Sequence, residues 1–68
     1  MNPILLLTHA AGLLAVEARG LLMAHTPDGN GDWSGEPEAH AVYTDLTCTA
    51  NRLIALASEM QIKLNQGR

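Results

Sequence analysis

The sequence predicts an all-α chain: a two-helix antiparallel hairpin whose copies pair into a homodimeric four-helix bundle. Three observations predict it. Two long stretches free of internal proline flank the Gly- and Pro-rich run TPDGNGDWSGEP. Apolar residues of the second stretch recur every three and four positions, the period of a helix with one apolar face. The first stretch is apolar on nearly every side, more than a single companion helix can cover.

The first element starts at Asn2-Pro3. Asn caps free amides, and Pro at the first helical position lacks an amide that would have no partner there. It ends near His25, because Pro27 disfavours α geometry at Thr26. The loop is 26–36. Ser34 is the expected cap of the second helix, with Pro37 tolerated in its first turn and Glu36 and Glu38 suited to the positive end of its dipole. That helix runs over 37–66, and Gly67 is a natural stop. The expected organisation is one helical-hairpin domain, with helix 3–25, loop 26–36 and helix 37–66.

Sixty-eight residues make a marginal core by themselves, since a chain of this size buries only roughly 60% of its unfolded surface. Small domains draw further stability from disulfides, metals or association. Cys48 is the sole cysteine, which leaves neither an intrachain disulfide nor a Cys-based zinc site. Association remains. The expected dimer interface on the first helix is the heptad seam Ile4, Leu7, Ala11, Leu14, Ala18 and Leu21, with Leu46, Leu53 and Met60 from the second.

Net charge is −3, and the basic residues Arg19, Arg52, Lys63 and Arg68 are scattered. Nucleic acid is therefore not an expected partner, because phosphate recognition needs clustered Lys and Arg. NPILLLTHAAGLLAV has no positive segment before Ile4, as a secretory signal requires, and its apolar run meets Glu17 and Arg19 short of the ~20 residues of a spanning helix. The expectation is a cytoplasmic chain without a membrane partner.

The candidate sites are few. Asp28, Asn30 and Asp32 match positions 1, 3 and 5 of a calcium loop, but Trp33 stands where that loop has Gly and Ala39 where it has a bidentate Glu. The run reads as a bend, in which Gly accepts positive φ and Asp and Asn favour turns. His25 and His40 flank it near Asp28, Asp32 and Glu36, without the spacing of a metal motif. His9 sits among apolar residues. No cofactor, metal or enzymatic activity is expected. For protein binding the candidates are Trp33, whose residue type is enriched at binding hot spots, with Tyr43 and Met23 near it. A row of Ala41, Cys48, Ala55 and Ile62 repeats every seven residues along the polar side of the second helix and is a further protein-binding candidate, a strip of small residues on which another helix can dock closely.

The segments ILLLTHAAGLLAVEARGLL and TANRLIALASEMQIKL around a short bend resemble, in architecture, the Rop family of helical-hairpin dimers. Rop-like RNA binding would need a basic face, which is missing here. In size, mild acidity and lack of catalytic motifs the chain is similar to small accessory proteins with which bacteriophages bind and disable host proteins, including anti-quorum-sensing and anti-defence factors. That resemblance implies an inhibitor or modulator of a host regulator or enzyme, and carries over no site residues. The alternative is a small-ligand or nucleotide sponge at the dimer interface, for which Arg19 and Arg52 are the mid-chain cations.

Overall fold

In a computed structural model, which describes residues 2–67, the chain forms helix α1 (Pro3–His25), a short 3-10 turn (Pro27–Gly29) and helix α2 (Pro37–Gln66). No strand occurs among the described residues, and Arg68 lies outside them. The helices run antiparallel side by side. Ile4 meets Met60 and Leu64 at one end, while Leu22 and Met23 lie beside Tyr43 toward the other. The result is a rod of 52 × 17 × 16 Å.

Local chemistry accounts for each boundary. Asn2 Oδ1 accepts the Ile4 amide at 2.8 Å, and Pro3 opens the helix. At the other end Thr26 is extended (φ −127°, ψ 148°), the geometry that a following proline favours. Its amide and hydroxyl both donate to the Leu22 carbonyl, which buries Thr26 against the last turn of α1.

The start of α2 corrects one expectation. Glu36, not Ser34, occupies the cap position, and no side chain caps the helix there. The Ser34 hydroxyl instead donates to Asp32 Oδ1. The cause is a turn in which the Glu36 amide donates to the Trp33 carbonyl at 2.9 Å, with Gly35 at φ +79°. That turn places Ser34 two residues upstream of the cap. At the far end the Gly67 amide donates to the Lys63 carbonyl at 2.9 Å, with Gly67 at φ −73°, so α2 stops without a left-handed residue.

The interior is a ladder of alanines. Ala11 and Ala18 of α1 and Ala50 and Ala57 of α2 are the buried apolar residues. Small side chains let the helix axes approach closely. Half-buried Ile4, Leu7, Leu14 and Leu21 flank the ladder on α1, with Tyr43, Leu46, Leu53 and Met60 on α2. Among the described residues no apolar side chain larger than alanine is buried. The hairpin thus encloses only the small half of each heptad and leaves the large half partly in water.

Candidate functional site

The loop is held by its own side chains. Asn30 Oδ1 accepts the Asp32 amide at 2.8 Å, and Asp32 Oδ1 accepts the Ser34 amide at 3.1 Å as well as the Ser34 hydroxyl. These are two consecutive Asx turns. The Ser34 hydroxyl and then the Ser34 amide stabilise the charged carboxylate, which lowers the Asp32 pKa below its ordinary value of 3.8.

Trp33 points back onto α2. Its indole stacks on the His40 imidazole, with centroids 5.3 Å apart and planes 6° from parallel, and tilts against Tyr43 at 5.1 Å. It is half-buried, so the candidate anchor is also a lid on the closed end of the hairpin. The two histidines beside the bend have different partners. His25 Nδ1 lies 3.4 Å from Glu36 Oε2, linking the end of α1 to the start of α2, whereas His40 serves the indole. No group of three or more His, Cys, Asp or Glu gathers in metal-binding geometry among the described residues.

The other sequence candidates divide by face. Met23 is exposed, with its thioether over Gly29, and Tyr43 is half-buried. Ala41, Cys48, Ala55 and Ile62 are all exposed on α2. Ala11 and Ala18 of the seam lie buried inside the hairpin, while Ile4, Leu7, Leu14, Leu21, Leu46, Leu53 and Met60 keep part of their surface in water. Arg19 lines a groove of about 840 Å³ along one flank, with Val16 and Met23 beside it and Tyr43, Thr47 and Ile54 across from it. Arg52 does not line it, so the two mid-chain cations do not converge there.

Ile54 is a part of the site that the sequence pattern does not mark. It is 51% exposed among Thr47, Asn51 and Ser58, off the apolar face of α2, and a single apolar residue in a polar row carries no periodic signal. The chain matches no protein-family model, no curated protein and no solved structure. Its surface is therefore the guide to its action, and that surface is unusually apolar. Ten large apolar side chains are exposed among the described residues, among them Leu5, Leu6, Leu13 and Val16 of α1 and Val42 and Leu56 of α2. By length and composition alone α1 is also apolar enough to cross a membrane, even with Glu17 and Arg19 in it.

Proposed function

We propose that this chain is a non-enzymatic protein-binding module. Its hairpins pair into a homodimeric four-helix bundle, and the bundle binds a regulatory protein or enzyme of a host as an inhibitor or modulator. One observation carries the binding reading: the hairpin exposes Leu, Val, Ile and Met side chains along its length, and among the described residues it buries no apolar side chain larger than alanine. Apolar patches beyond a few hundred Å² mark interaction surfaces. The inhibitory role draws on the resemblance in size and charge to phage accessory proteins, and the dispersal of His25, His40 and Cys48 to separate surroundings favours binding over catalysis.

Affinity capture from a host lysate with the wild-type chain and with Trp33→Ala tests this function. A specific protein retained by the wild type and reduced by the variant supports it. Recovery of a bound nucleotide and no protein would replace it with the sponge reading.

The hydropathy of α1 favours a second reading, in which α1 enters a bilayer. Two costs weigh against it. Each of Glu17 and Arg19 carries roughly 2.5–3.5 kcal/mol near the centre of a membrane. Insertion would also strip α1 from the alanine ladder of α2. Co-flotation with lipid vesicles is the measurement that separates the two readings.

A further inference from the structure

Exposed apolar side chains lie on both flanks of the rod, but in different company: Val16, Met23 and Ile54 line the groove, and Leu6, Leu13, Val42 and Leu56 lie off it. The flank that carries the groove is mixed, since the α2 wall there contains Thr47 and Asn51 around Ile54, with Arg19 and Asp28 on the other side. The opposite flank is apolar along most of α2 and, from Leu6 to Leu13, along α1. On α2, Val42, Leu46, Thr49, Leu53, Leu56 and Met60 step by four and three residues, so they form one straight row. On α1, Leu6, Ala10, Leu13 and Glu17 step in the same way. None of these residues lines the groove, and Leu6, Leu13, Val42 and Leu56 are exposed.

The elongated hairpin exposes more surface than a compact chain of its mass. Its accessible surface is 5084 Å². A compact monomer of 7.3 kDa exposes about 4160 Å². The excess is about 900 Å², close to the ~800 Å² that each partner gives up in a standard protein interface. The radius of gyration reflects the same elongation, at 15.2 Å against about 11 Å for a compact chain of this length.

We infer that the Leu6–Leu13 and Val42–Leu56 flank is the docking face for a second copy of this chain, and that the grooved flank with Arg19 and Ile54 stays outward. A two-fold axis sets one patch against itself, which requires a self-complementary surface. The row from Val42 to Met60, with Leu6 and Leu13 beside it, meets that requirement and has Glu17 at its edge. The mixed flank would bring Arg19, Asp28, Thr47 and Asn51 into the interface, against Glu17 and Thr49 on the proposed face. This assignment rests on the dimer proposed above and specifies which surface forms it.

The test is sedimentation equilibrium on the full chain with paired glutamate substitutions at residues exposed in the hairpin. Leu13→Glu with Leu56→Glu puts charges into the proposed face, and Val16→Glu with Ile54→Glu puts them into the groove. The expected result is a wild-type dimer, a rise of about a hundredfold or more in dissociation constant for the first pair, and little change for the second. Circular dichroism checks helicity. If glutamate lowers it, Leu13→Ala with Leu56→Ala replaces the first pair under the same readout. A wild-type dimer that survives the first pair overturns the face and leaves the dimer standing. A wild-type chain that sediments at 7.3 kDa at every concentration overturns both.

Discussion

The indole of Trp33 lies flat on the imidazole of His40, 5.3 Å between centroids and 6° from parallel, and this stack ties the loop to the first turn of α2. Offset-stacked aromatic pairs add about 0.5–1.5 kcal/mol beyond the area they bury. Trp33→Ala should therefore lower stability by roughly 1–2 kcal/mol and raise protease sensitivity within 26–36, with helical circular dichroism nearly unchanged. His40→Ala should shift the emission of this sole tryptophan to longer wavelength. Unchanged emission would mean that the indole does not rest on the ring.

The alanine ladder sets the distance between the helices. Replacing Ala18 or Ala50 by Leu inserts bulk where both backbones are close, and such overpacking costs about 1–3 kcal/mol. The exposed Ala41 and Ala55 should accept Leu within ~0.5 kcal/mol. Urea midpoints of the four variants check the contrast. Equal effects at all four positions would show that the alanines do not set the helix spacing.

How much of this was legible in the sequence differs by residue. Pro3, Pro27 and Pro37 mark the helix bounds because each acts on its own backbone and its immediate neighbour, without reference to the fold. The apolar face of α2 was legible because its other side carries Asp45, Arg52 and Glu59. The orientation of α1 is harder to read, since Leu residues on nearly every side allow several equivalent seams. Only contact with Ala50 and Ala57 selects Ala11 and Ala18 as the buried line. The placement of Trp33 and Ser34 depends on the turn at Gly35, a conformation that residue type permits but does not dictate.

Two neighbouring loop positions carry positive φ with opposite consequences. Asp28 stands at φ +51° and Gly29 at φ +68°, where a Cβ would also meet the Met23 thioether. Gly29→Ala should cost roughly 1–2 kcal/mol, mostly from the backbone, since the Met23 side chain is flexible enough to move. Asp28→Gly relieves strain and should leave stability equal or raised by a few tenths of a kcal/mol. Thermal melts of the two variants should move in opposite directions or leave Asp28→Gly unmoved.

Acid should loosen the loop before the helices. The folded Asp32 pKa lies below 3.8, chiefly through the Ser34 hydroxyl, so the native state holds its proton more weakly than the unfolded chain does. The stabilisation is complete above that ordinary value and is lost as pH falls through the lower folded value. Ser34→Ala should move the Asp32 midpoint back toward 3.8, read by side-chain carboxyl NMR. No movement would place the cause elsewhere.

Glu17 interrupts the apolar row that continues from Leu13 along α1, so in the proposed dimer it is a carboxylate at the edge of an apolar interface. Glu17→Leu should tighten association by about tenfold, or 1.4 kcal/mol. Dilution series of the two proteins compare the constants. A weaker dimer would show that Glu17 has a partner across the interface.

One hairpin leaves its own leucines only partly covered. Sedimentation equilibrium of the unmodified chain over a wide concentration range tests most directly whether a second copy covers them. The expected result is a species of twice the 7.3 kDa chain mass that dissociates only on strong dilution. A single 7.3 kDa species, soluble and fully helical at every concentration, would contradict it.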